Sequence, residues 1–331
     1  PVTERPRTLP AELWVCGSDL TDHRKVFEMS MTCGGFPHNG AMPSWIDDHR
    51  VVFRQLTPAG PKIHVLDVDA ETVLFPPIVG NLGHYAAHGK VPFGIYAGEV
   101  GRNPEYPGIE GEGLYLLDAE SGEVERVIAT EAIIAFAREQ GFTPTERTHR
   151  LAHEMLNPAA TKMMIRLCLE ECLTLFAVDL QSGETTLFPY KPLHQLWYDD
   201  ETYVGVAGAS SDPGDKREIA RWQPDGTRLE TLVSSDDGSG IGNHIDISPD
   251  RRWFVTDAIY HSDPVTIELY RRGRGDPVAI LDRHNLTHPV WRLRAHANPV
   301  FSRDGRRVYF VQAFEEDAVR AVVVDISPYL E

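Results

Sequence analysis

Residues Gly242–Asp257 read GNHIDISPDRRWFVTD. Two short apolar-rich runs, HIDI and WFVTD, flank a Ser-Pro-Asp-Arg turn, and both runs favour β-branched and aromatic residues. That is the signature of two strands joined by a tight hairpin. The same unit returns as NPVFSRDGRRVYFVQ (Asn298–Gln312) and as SWIDDHRVVFRQ (Ser44–Gln55). A second kind of unit alternates with it: KIHVLDVDAET (Lys62–Thr72), LYLLDAESGEVERV (Leu114–Val127), LTLFAVDLQSGETTLF (Leu173–Phe188) and AVVVDISPY (Ala321–Tyr329). Here Asp-x-x-Ser-Gly supplies the turn, with Gly tolerating a positive φ.

Six such units begin near residues 38, 84, 153, 194, 244 and 296, about 40 to 70 residues apart. Four-stranded propeller blades with insertions recur at this period. The leading segment Leu13–Met31 supplies further strands, and residues 1–35 are expected to complete a seventh blade or to close the ring against the C-terminal strand. The expected fold is therefore an all-β, seven-bladed β-propeller, one domain over residues 1–331. Between Thr130 and Gly141 the pattern TEAIIAFAREQG shifts to helical spacing, which predicts one short helical insertion with Thr130 as N-cap and Gly141 as terminator.

Bulk composition narrows the function. The formal net charge of −17 argues against a general binder of nucleic acid or anionic membrane, because both need clustered positive charge. No apolar run reaches the roughly 20 residues that span a bilayer, and PVTERPRTLP has no apolar signal core, so a cytoplasmic location is expected. Four cysteines (Cys16, Cys33, Cys168, Cys172) are too few for a disulfide scaffold in 331 residues and are expected to be buried thiols.

The histidines share a phase. His244 stands four residues before Ser248, and His194 has the same relation to Tyr198, His153 to Asn157 and His84 to His88. In the last unit the position is Asn298, with His296 two residues earlier, and His38 lies near the corresponding point of the first unit. The first strand of a blade lines the central channel, so residues in one phase are expected to converge at its mouth. Imidazoles gathered there can hold a metal or exchange protons near neutral pH. Turn capping is the plainer role for any single one of them, yet Asp, Ser and Asn cap turns more readily.

At these residues the chain resembles the oligogalacturonate lyases, seven-bladed propellers that cleave short pectin fragments by β-elimination. The resemblance is carried by GNHIDISPDRRWFVTD and RAHANPVFSRDGRRVYF, and more faintly by LAHEMLNPAATKMMI and LHQLWYDD. It implies a divalent cation, manganese or calcium, held by His244 and His296. Where the family has a second histidine of the pair, this chain has Asn298, whose carbonyl oxygen suits a hard ion. The family's glutamine ligand falls near Leu293. The resemblance also implies that His194 abstracts the proton, with His153 next in line, and that Arg166 is the nearest counterpart of a substrate-stabilising arginine.

Such chemistry has a minimum set of parts. Removing the C5 proton of a 4-linked uronate builds enolate charge beside a carboxylate that is already charged. A cation or cationic side chains must take up that charge, and a base of pKa near 7 must reach C5. Arg292 and Arg294, just ahead of His296, are candidates to meet sugar carboxylates; His38, His84 and Tyr260 are further candidates to line the substrate. The expected partner is a uronate-containing oligosaccharide. A lyase for another uronate, such as rhamnosyl-glucuronate units, and a non-catalytic propeller serving as an interaction platform are the competing readings. No Gly-x-Ser-x-Gly elbow supports a hydrolase.

Overall fold

The computed structural model describes residues 7–33, 41–96, 98–142, 150–168, 173–189, 192–208, 217–234, 241–242, 244–257, 264–284, 297–315 and 318–330. The chain packs as two compact units. One comprises Pro1–Val15 with Arg24–Lys191, the other Cys16–His23 with Pro192–Glu331.

The first unit holds a hairpin and three antiparallel sheets. Blade 1 is built from Ser44–Trp45, Arg50–Thr57, Gly60–Asp67 and Thr72–Val73, with Ile78–Val79 also pairing to the third strand. Blade 2 runs through Asn81–Leu82, Lys90–Ile95, Gly113–Asp118 and Val124–Ala129; blade 3 through Arg150–Leu156, Lys162–Cys168, Leu173–Asp179 and Thr185–Phe188. Fully buried Phe93, Tyr115, Ile63 and Val91 fill the seam between blades 1 and 2. The turns form as their residues dictate. In both Asp118–Gly122 and Asp179–Gly183 the Asp Oδ1 accepts two backbone N–H groups, and the glycine takes φ near +75°.

The second unit holds three sheets. Blade 4 is Leu193–Trp197, Tyr203–Ala207, Glu218–Trp222 and Arg228–Ser234; blade 5 is Ile245–Ile247, Trp253–Asp257, Val265–Arg271 and Ala279–His284. Blade 6 has three strands, Val300–Phe301, Arg307–Glu315 and Ala318–Asp325. The serines of the first-hairpin turns close them as side chains. Ser248 Oγ donates to Asp250 and accepts the Trp253 N–H, and Ser302 does the same with Asp304 and Arg307.

The expected count of seven blades is corrected to six. Among the described residues, Arg7–Val15 and Arg24–Cys33 pair only with each other and extend no sheet. The physical reason is that their apolar face is used for packing across a sheet rather than for pairing at an edge. Leu13, Val26, Met29 and Met31 pack with Val51, Phe53 and Leu66 of blade 1, and the Phe27 ring lies 5.1 Å from Phe53. The last sheet likewise pairs only its own strands among the described residues.

The helical insertion is present as Thr130–Glu139. Ile133 and Ala137, four apart on one face, are fully buried against Met163, Ile165 and Phe176. Its start is corrected by one residue: Ala129, in extended backbone, is the N-cap, and Thr130 is the first helical residue. The end is as expected, because Gly141 takes φ +86° while the N–H groups of Gly141 and Phe142 return to the carbonyls of Arg138 and Ala137. Cys16, expected inside, is exposed. No helix among the described residues is long and apolar enough to cross a membrane.

Candidate functional site

In each blade one backbone N–H closes the first hairpin. Its owners are Ile46, Ala87, Asn157, Tyr198, Ser248 and Ser302. Counting back four residues gives Met42, Gly83, His153, His194, His244 and Asn298. The common phase of His153, His194, His244 and Asn298 is thus a property of the backbone. Blade 2 departs from the expected alignment: His88, with φ +49°, sits with Gly89 inside the turn, so His84 falls one residue late. In blade 1 the position belongs to Met42, and His38 lies outside the described residues.

The position is structurally special. In blade 4, Leu193 faces Val206 and Leu196 faces Val204, so His194 and Gln195 together oppose one residue. In blade 3, His153 and Glu154 do the same between Ala152 and Met155. Blades 1 and 6 repeat it around Met42 and Asn298. Each is a β-bulge, which re-aims a side chain at the start of the strand. Met42, His194 and Asn298 carry φ of 47°, 48° and 43°, a left-handed backbone that costs energy in a residue with a Cβ. The left-handed backbone thus recurs at this one position in blades 1, 4 and 6.

Within the second unit, two of the expected site residues meet. The rings of His194 and His244 lie 4.3 Å apart, centre to centre. Blade 5 keeps its ladder straight, with Ile245 opposite Thr256, and this places His244 opposite Asp257. Asp257 Oδ1 accepts the His244 backbone N–H at 2.9 Å, and Oδ2 lies 2.6 Å from Nδ1. A carboxylate can only accept there, so Nδ1 carries the proton and neutral His244 has its lone pair on Nε2. Both side chains are sheltered, at 13% and 7% exposure. Asp257 was missed in the sequence, although a carboxylate ending the WFVTD strand opposite His244 was the available signal. Two residues beyond His244, Asp246 accepts the Phe301 N–H of blade 6 at 2.7 Å, and burial pushes its pKa up to about 6.

The other candidates are distributed as follows. In the first unit, His84 donates its backbone N–H to Glu154 O at 2.8 Å, and Arg166 lies on the second strand of blade 3 opposite Ala152. His153 begins the bulge of that blade, and its side chain lies outside the described parts. Tyr260, Arg292, Arg294 and His296 also fall outside the described residues. No three His, Cys, Asp or Glu side chains cluster as cation ligands among the described residues. Of the implied metal set they supply His244 and Asn298, which do not make a cation site by themselves, so the chemistry is derived from side chains alone.

No family model matches the chain, and no curated protein matches it in sequence. Solved structures do match. The β-propeller domain of the Trilobed protease from Pyrococcus furiosus superposes with a TM-score of 0.50 at 13% identity, over 86% of this chain and 79% of that one. An oligogalacturonate lyase in complex with manganese gives 0.49 at 13% identity, over 99% and 100%. TolB from Acinetobacter baumannii gives 0.45 at 15% identity, over 82% of this chain and 65% of that one. The protein is similar in fold to β-propellers, and identities this low carry architecture rather than chemistry.

Proposed function

We propose that this chain is a lyase that cleaves 4-linked uronosyl oligosaccharides by β-elimination. The observation that carries the reading is the His194–His244 pair, set 4.3 Å apart, His194 on the first strand of blade 4 and His244 immediately before the first strand of blade 5, with His244 oriented by Asp257. The resemblance of the segments around His244 and Asn298 to oligogalacturonate lyases supports the choice of substrate class.

In this reading His194 is the base. Its imidazole takes the C5 proton, the C5–H electron pair becomes the C4=C5 double bond, and the C4–O pair leaves with the departing sugar oxygen, which takes up a proton. His244, fixed by Asp257 through Nδ1, meets the substrate carboxylate in its doubly protonated form, donating Nε2–H to it, with Asn298 as a neighbouring polar contact. A divalent ion, manganese or calcium, would withdraw charge from the carboxylate if His296 joins His244 and Asn298 in holding one.

The test is direct. The full chain is incubated with a panel of oligogalacturonides and rhamnosyl-glucuronate oligosaccharides, with and without chelator, and the ultraviolet absorbance of the conjugated unsaturated uronate is followed. Absorbance should rise with at least one uronate and fail to rise with His194→Ala. No absorbing product from any of them would end the lyase reading.

A further inference from the structure

Cationic groups are scarce on a chain of net charge −17, and the second unit concentrates them. Three turns at one end of blades 5 and 6, residues 248–253, 271–278 and 302–307, carry eight arginines and three aspartates. The turns adjoin one another. Arg272 donates its N–H to Arg252 O at 2.9 Å, and a Cβ on Gly305 would stand 3.2 Å from Pro249. Arg272 is held by both oxygens of Glu230. Arg251, Arg252, Arg274 and Arg306 are exposed; Arg251 lies over the Tyr198 ring at 5.6 Å, and Arg306 acts on Asp304 and Asp325 without a close ion pair among the described residues.

The first unit carries the opposite surface. Residues 103–125 hold seven carboxylates and no lysine or arginine. Against them lies a groove of about 650 Å³ whose lining includes Phe75, Tyr106 and Pro107 together with Glu105, Glu123 and Glu125. Tyr106 is fixed by its hydroxyl, which donates to Pro76 O, and Asp118 is occupied by Lys90. The three glutamates have no cationic partner among the described residues. A guanidinium is a planar cation that stacks on aromatic faces and pairs with carboxylates through two parallel N–H bonds. Aromatic rings and carboxylates lining one groove are its complement.

We infer that the arginine-bearing turns of blades 5 and 6 dock into the acidic groove beside blade 2 of a second copy of this chain. One copy offers its arginine turns and the other its groove, so a pair joined by one such contact keeps one free surface of each kind for a further neighbour. It needs no substrate and uses none of the residues proposed for the elimination. The like charge of whole molecules opposes it, and near-physiological salt, with a Debye length of about 8 Å, mutes that repulsion while sparing contacts.

Sedimentation velocity of the full chain tests this at about 0.15 M salt and again at about 1 M, where the Debye length falls to about 3 Å. Association is expected to grow with protein concentration at the lower salt and to weaken at the higher. Arg251→Gln with Arg274→Gln, and separately Glu123→Gln with Glu125→Gln, should each weaken association at least about tenfold while leaving the circular dichroism spectrum unchanged. Mixing the two variants should form a one-to-one complex that grows no further, because only one complementary pair of surfaces remains. A wild type that stays monomeric to about 0.1 mM overturns the inference. So do variants that associate like the wild type, or a mixture that stays monomeric.

Discussion

Asp257 grips His244 at two points, one oxygen on its backbone N–H at 2.9 Å and the other on its ring Nδ1 at 2.6 Å. One carboxylate thereby fixes where His244 sits and which nitrogen carries its proton. Asp257→Asn keeps the shape, but its amide has one acceptor oxygen for two donors. Turnover of a uronate substrate should fall about 10–100-fold, the usual loss when the residue behind a working histidine is removed. Asp257→Ala leaves a part-buried N–H unpaired and should also lower stability by about 1–3 kcal/mol, read from denaturant titration.

His194 offers a sharper separation. Replacing it with Ala or with Gly removes the imidazole, and each should lower turnover by about 10²–10⁴ while leaving oligosaccharide binding by calorimetry nearly intact. The two variants should differ in stability. At φ 48° glycine is at home, whereas alanine keeps a left-handed penalty of about 1–2 kcal/mol, so His194→Gly should melt higher than His194→Ala. A His194 variant with normal turnover would move the base to another residue.

His64 predicts a pH effect on folding. It stacks on Phe53 at 5.1 Å with the rings 8° apart, and its Nε2 lies 3.0 Å from Gln55 Oε1. Burial, with Lys62 adding to it, pushes its pKa down to about 4 from an ordinary 6.5. The unfolded chain therefore binds the extra proton first, and stability attributable to this site is complete above about pH 6.5 and declines as pH falls toward about 4. His64→Leu should flatten that part of the profile. Denaturation midpoints of both proteins across this window check it, and parallel profiles would refute it.

Gly83 holds the phase position of blade 2, and it has no room for a side chain. A Cβ there would lie 2.8 Å from the carbonyl oxygens of both Glu154 and Pro92. Both are backbone atoms and cannot swing aside. Gly83→Ala should cost about 1–3 kcal/mol, seen as a lower melting temperature. An unchanged melting temperature would mean that blades 2 and 3 separate there at little cost.

Much of the fold was legible because the turns are written in side chains. Ser248, Ser302, Asp118 and Asp179 close their own hairpins, and Gly141 ends the helix, so local chemistry and topology agree. The seventh blade was misread because alternation shows that a strand exists without showing what it pairs with. Leu13–Met31 alternates like a blade, yet packs its apolar side on Phe53, and among the described residues its strands pair only with each other. The site was legible as a phase and not as contacts. Spacing from the turn found His153, His194, His244 and Asn298. Asp257 acts across the ladder, thirteen residues away from His244, and only strand pairing reveals it.

The bulges at Met42, His153, His194 and Asn298 also bear on how such a chain can change. A residue inside a regular ladder is constrained on both sides, so replacing it disturbs its neighbours. At a bulge the pairing is already interrupted, and the side chain there is tied to its surroundings mainly by its own reach. Met, His and Asn occupy equivalent points of this molecule without altering the sheets that carry them. The blades thus resemble a set of sockets on a common frame. New chemistry could be acquired one socket at a time, with the cores between the blades left as they are.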